Sequence, residues 1–181
     1  MEPATHIALV GPTGAGKSSI GRALADLLGR PFVDLDQAIE AAAGATVALI
    51  FEHQGEAGFR RRESAALAQA LAAPAPTLIA CGGGIVLDPD NRALLRRHAV
   101  VVHLAATVEE QLTRLARDRL RPLLQVPDRH ARLQALARER EPLYEAAAHL
   151  RFHPSGPPAQ AARALARLLA QPAGAAGGAA S

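Results

Sequence analysis

Residues Gly11 to Ser18 read GPTGAGKS, set between the apolar run IALV and the helical pattern SSIGRALADLLG. The spacing matches G-x-x-x-x-G-K-[ST], a loop whose glycines let backbone N–H groups wrap a phosphate chain at the start of the following helix. It commits residues 6–28 to a strand–loop–helix unit. Lys17 is placed to reach the terminal phosphates, and the Ser18 hydroxyl to hold Mg²⁺. Residue usage supports this without any alignment. The chain contains 20 lysines and arginines, and Lys17 is its only lysine. A compact ammonium on a flexible stem fits inside such a loop where a planar guanidinium would not.

The rest of the chain repeats the same alternation. Apolar runs at 6–11, 31–36, 77–83, 99–105 and, more weakly, 150–153 read as strands. They are nearly continuous rather than alternating, as parallel strands covered on both faces are. Between them, helical patterns cover 17–28, 36–53 with a break near Gly44, 56–72, 90–97, 108–118, 129–147 and 159–170. The expected fold is therefore α/β, a doubly wound five-stranded parallel sheet flanked by helices. Residues 119–128, RLRPLLQVPD, interrupt the pattern with two prolines and clustered arginine and read as a mobile loop. Residues 172–181 are small, offer nothing to bury and read as a flexible tail, leaving 1–171 as one domain.

Composition narrows the function. Seven scattered histidines and one cysteine, Cys81, give no zinc spacing and no internal disulfide. The opening MEPATHIALV lacks the basic start and long apolar run of a signal peptide, and no stretch approaches the roughly 18–20 apolar residues of a membrane span. A cytoplasmic protein is expected. The net charge of +3 is mild, and one tyrosine, four phenylalanines and no tryptophan offer little for stacking on bases. The arginines in FRRRES, RDRLRP and RERE suit a small anionic ligand better than a nucleic acid.

Two further features need a ligand to make sense. In FVDLDQAIE, Asp34 and Asp36 lie two apart, which on an extended strand puts both carboxylates on one side. Helix capping could account for Asp36 but explains nothing about Asp34. In CGGG, three consecutive glycines weaken any strand and permit a ligand to approach the backbone.

GPTGAGKSSIGRALA, FVDLDQAIE, GEAGFRRRE, CGGGIV, RPLL and REPLYE occur in this order, and as an ordered set they resemble the shikimate kinases. The resemblance runs from about residue 6 to 170. It implies a P-loop kinase with a mobile lid at about 113–128 and substrate-binding helices at about 36–72. It further implies ATP-dependent phosphorylation of the shikimate 3-hydroxyl in aromatic amino-acid biosynthesis by a monomer. By the same resemblance, Asp36 addresses the shikimate hydroxyl as base and Asp34 stands near Mg²⁺ together with Ser18. Gly14, Ala15, Gly16, Lys17, Ser18 and Ser19 cradle ATP. Arg60, oriented by Glu63, and Arg140 grip the shikimate carboxylate beside Gly82, Gly83 and Gly84. Arg121 closes over the phosphates, Arg117 packs on adenine, and Pro157 contacts adenine from the 152–158 loop. Two other readings stay open: a gluconate-type sugar-acid kinase, and a nucleotide-binding protein that only regulates.

Overall fold

A computed structural model describes residues 5–116 and 126–171. Five parallel strands form one sheet: β1 (His6–Val10), β2 (Phe32–Asp34), β3 (Leu78–Ala80), β4 (Ala99–Leu104) and β5 (Leu150–Phe152). Their order is β2-β3-β1-β4-β5. The chain therefore builds one side of β1 first and crosses to the other after β3. In such sheets ligands bind at that reversal, beyond the carboxyl ends of the strands.

Every residue of β1 is buried, which a parallel strand covered on both faces requires. Its side chains divide strictly by parity. Ile7 and Leu9 pack with Ile20 and Leu24 of α1 (Lys17–Leu28) and with Leu165 and Leu169 of α7 (Pro158–Ala170). Ala8 and Val10 face the opposite core. There they meet Leu35 of α2 (Leu35–Ala43), Leu67 of α3 (Val47–Leu71), Leu95 of α4 (Pro89–His98) and Tyr144 of α6 (Arg129–Ala147). Helix α5 (Val108–Leu115) instead packs through Leu115 against Leu133 and Leu136 of α6.

The expected break near Gly44 is present. Gly44 closes α2 in the left-handed region at φ 63°, and Thr46 caps the next helix by accepting from the Leu49 N–H. A second interruption falls at Gly55, whose φ of 68° and ψ of −178° lie outside helical space. Residues 47–54 and 56–71 are thus two helical segments meeting at a kink, where the sequence pattern stops at 53 and resumes at 56. The strands are shorter than the apolar runs. β2 stops at Asp34 and β3 at Ala80, because the next residues turn into α2 and into the glycine run. The lid region expected at 113–128 lies largely outside the described residues, as does the tail.

His103 on β4 is fully buried, and neither ring nitrogen has a hydrogen-bond partner among the described residues. The nearest carboxylate, Glu141 at 3.8 Å, is also paired with Arg151 at 3.2 Å. Burial, with Arg151 and Lys17 adding to it, lowers the His103 pKa to about 4. The unfolded chain takes up this proton near pH 6.5, well above the folded one, so stability is full above pH 6.5 and falls as pH drops toward 4. Between pH 7 and pH 5 this group should remove about 2 kcal/mol, and His103→Leu should remove that slope, read from urea midpoints at the two pH values. An unchanged slope would mean that His103 does not carry it.

Candidate active site

The loop between β1 and α1 is shaped by its glycines. Gly16 serves as the α1 N-cap at φ 91° with no side-chain cap, so the first N–H groups of α1 face out of the helix end. Gly14 is also left-handed at φ 76°. The Lys17 ammonium donates to the carbonyls of Gly11 at 2.7 Å and Pro12 at 2.8 Å, which holds it within the loop. Ser18, in the first turn, donates to the Asp34 carboxylate at 2.5 Å.

Gly14, Gly16, Lys17, Ser18, Ser19, Asp34, Asp36, Gly82 and Gly83 line one cavity of about 360 Å³, joined by Cys81, Arg114 and Leu115. Residues that follow β1, β2 and β3 thus meet where the sheet order reverses. The Ala15 side chain is fully buried in the core and its N–H donates to Pro12 O at 3.2 Å. Pro157 is the exposed N-cap of α7 and lies outside the cavity lining. Arg117 and Arg121 lie outside the described residues.

The paired aspartates reach the cavity by a different route from the one the sequence pattern implies. They do not share a strand face, because β2 ends at Asp34 and Asp36 already stands in the first turn of α2. Asp34 is the α2 N-cap, accepting from the Gln37 N–H at 3.3 Å. Capping therefore belongs to Asp34 and not to Asp36, the reverse of the sequence-based reading. Asp34 retains a second oxygen toward Ser18, so one carboxylate both starts the helix and faces the phosphate loop.

The glycine run explains how the opposite wall is built. A Cβ on Gly82 would lie 2.8 Å from Glu63 Oε2 and 3.1 Å from Asp36 Oδ1. On Gly83 it would approach the Thr13 N–H, the Tyr144 hydroxyl and an Arg140 guanidinium nitrogen, the last at 3.7 Å. On Gly84 it would overlap the Arg60 guanidinium. Gly82 and Gly84 thus admit charged side chains from other elements, whereas the approaches to Gly83 are ordinary contacts. The room expected for a ligand is used first by the residues expected to bind one. This packing brings Asp36, Arg60 and Arg140 around a single backbone turn.

Arg60 donates to Glu63 at 2.7 Å and to Glu56 at 3.2 Å. Glu63 is 1% exposed, and burial pushes its carboxyl above the usual range against the pull of Arg60. Its Oε2 has no hydrogen-bond partner among the described residues. Arg140 is buried at 7% exposure and its Nε has no hydrogen-bond partner among the described residues, whereas Glu141 beside it pairs with Arg151. A surface ion pair is therefore not what occupies Arg140. Arg61 is exposed, and Arg62 donates to Gln54 at 2.9 Å on the outer face.

Arg114 was not legible as a site residue. It projects from α5 into the cavity and donates to Gly14 O at 2.8 Å. The signal available was its place one turn before the arginine-rich loop, but the densely spaced arginines after it masked it. Cys81 lines the cavity with its thiol pushed up by burial, and remains a buried, un-ionised residue.

A five-stranded parallel sheet, a phosphate cradle after its central strand, and a glycine turn on the cavity wall with Asp36 in the lining and Arg60 and Arg140 packed against the turn define a P-loop small-molecule kinase. The family model for shikimate kinase matches residues 13–170. A shikimate kinase from Stenotrophomonas maltophilia is 55% identical over 150 residues, 83% of each chain. One from Xanthomonas oryzae is 49% identical over 173 residues, covering 94% of this chain and 96% of that one. The structure of the Acinetobacter baumannii shikimate kinase in complex with shikimate superposes with a TM-score of 0.89 at 43% identity, over 93% of this chain and 94% of that one. The chain belongs to the shikimate kinase family.

Proposed function

We propose that the chain transfers the γ-phosphoryl group of ATP to the 3-hydroxyl of shikimate, giving shikimate 3-phosphate and ADP in aromatic amino-acid biosynthesis. The observation that carries this is the convergence of Asp36, Arg60 and Arg140 on Gly82–Gly84, a turn of which Gly82 and Gly83, with Asp36, line the phosphate-loop cavity. An acceptor with one carboxylate and a hydroxyl a ring-width away fits two guanidinium groups and one carboxylate. The relative solved with shikimate supports the same acceptor.

In this reading the loop from Gly14 to Ser19 and the α1 N-terminus hold the ATP phosphates, and Lys17 leaves its carbonyl partners for the terminal phosphate oxygens. Arg114 bounds the nucleotide side of the cavity. Ser18 and Asp34, already in contact, suit Mg²⁺, an ion that binds through one or two protein oxygens and keeps phosphate and water ligands. When bound, the ion neutralises charge on the transferring phosphates. Asp36 accepts the proton of the attacking hydroxyl and aims its oxygen at the γ-phosphorus. Arg60 and Arg140 fix the acceptor by its carboxylate. Arg121 joins the phosphates and Arg117 the adenine when the 113–128 lid closes, with Pro157 on the far side of the base. The domain spans 1–171 and acts as a cytoplasmic monomer, with ATP and shikimate as its partners and no nucleic acid. Among the described residues, no helix is long and apolar enough to cross a membrane.

Purified protein with Mg-ATP and either shikimate or gluconate, followed by coupled ADP release, tests the acceptor. Turnover with shikimate and none with gluconate is expected. The reverse would keep the phosphate cradle and overturn the acceptor site. Arg60→Lys keeps the charge beside Glu63 but loses the planar fork, so KM for shikimate should rise about tenfold with KM for ATP unchanged. A change confined to ATP would remove Arg60 from the acceptor site.

A further inference from the structure

Tyr144 is the one tyrosine of the chain, and it is buried at 1% exposure on α6. Its ring packs in the core at 5.2 Å from the His103 ring. Burial raises its pKa above the ordinary phenol range, so the hydroxyl remains a neutral donor. That hydroxyl donates to Gly83 O at 2.5 Å, and Arg140, one turn earlier on the same helix, interacts with the phenol oxygen itself. One phenol group thus links the central peptide of the glycine run to the buried guanidinium beside it.

We propose that Tyr144 is a positioning residue for the acceptor's carboxylate. It sets the Arg140 guanidinium and the Gly83 peptide in register with each other. Two constraints give this force. The peptide is planar, so fixing the Gly83 carbonyl also fixes the direction of the Gly84 N–H, at the residue against which Arg60 packs. And the Arg140 Nε has no hydrogen-bond partner among the described residues, so the phenol oxygen, with the charge of Glu63, is what orients the fork. Packing alone would not need the hydroxyl, since phenylalanine fills the same core volume.

The inference rests on the acceptor reading above, and the experiment separates the two. Tyr144→Phe is compared with the unsubstituted protein in initial-rate assays using shikimate and its carboxamide analogue. The expected result is a rise of about tenfold in KM for shikimate with kcat and KM for ATP within about threefold. The preference in kcat/KM for the acid over the amide should shrink by a similar factor, because a misplaced Arg140 no longer rewards the carboxylate. A merely structural role would lower the thermal midpoint and depress both substrates alike, leaving that preference unchanged, and would overturn the proposal. So would an unchanged KM for shikimate. If the unsubstituted protein does not turn over shikimate at all, it is the acceptor reading that fails.

Discussion

Asp36→Asn is expected to lower kcat with shikimate about a thousandfold while leaving the affinity for ATP within about threefold. The asparagine side chain matches aspartate in shape, so the packing of Asp36 Oδ1 against Gly82 would survive. What disappears is the ability to take a proton. The location of Asp36 makes the effect specific. It stands between the phosphate loop and Glu63, whereas Asp34 is committed to Ser18 and to the α2 N-terminus. Stopped-time assays at saturating substrate, with a fluorescent nucleotide to read ATP binding, separate the two quantities. Near-normal turnover would remove Asp36 as the base.

Gly11→Ala should produce the largest loss of stability. Gly11 has φ 144°, and a methyl group there would overlap the Leu104 carbonyl oxygen, which is backbone and cannot rotate away. Relief requires β1 and β4 to part at the mouth of the phosphate loop, where Val10 pairs with His103. A loss on the order of 3 kcal/mol is expected, which for a chain of this size lowers the thermal midpoint by roughly 6–12 °C. ATP affinity should fall with it, because Gly11 joins β1 to the loop that holds the phosphates, and parting the strands displaces that loop. A midpoint within two degrees of the unsubstituted protein, a change under about 1 kcal/mol, would show that this approach is looser than its geometry.

These expectations draw on different layers of the sequence. The phosphate loop was legible because its chemistry demands glycines and a lysine at fixed spacing, and the only lysine of the chain stands there. The parallel sheet was legible because strands buried on both faces are apolar throughout. The strand ends were not. FVDLD reads as one extended run, yet Asp34 satisfies the α2 N-terminus better than it would extend β2, and capping wins over strand propensity. The same local competition moved capping from Asp36 to Asp34.

The glycine run shows a different limit. Its need for space could be read from composition, but what fills that space comes from α2, α3 and α6, distant in sequence. Only the fold places Asp36, Arg60 and Arg140 at successive glycines. Arg114 and the Tyr144 hydroxyl were missed for the same reason, since each acts through a long-range contact to a glycine carbonyl, Gly14 and Gly83 respectively. The Ala15 side chain packs into the core beneath the loop, a long-range contact that the loop motif alone does not specify.

The central claim is that the turn at Gly82–Gly84 is the acceptor site. A crystal structure of the protein with shikimate and Mg-ADP tests it most directly. The account predicts the shikimate carboxylate within hydrogen-bond distance of both Arg60 and Arg140, with the 3-hydroxyl against Asp36 and directed toward the phosphate loop. Shikimate bound elsewhere, or turned so that its carboxylate faces Asp36 or the phosphate loop, would contradict it.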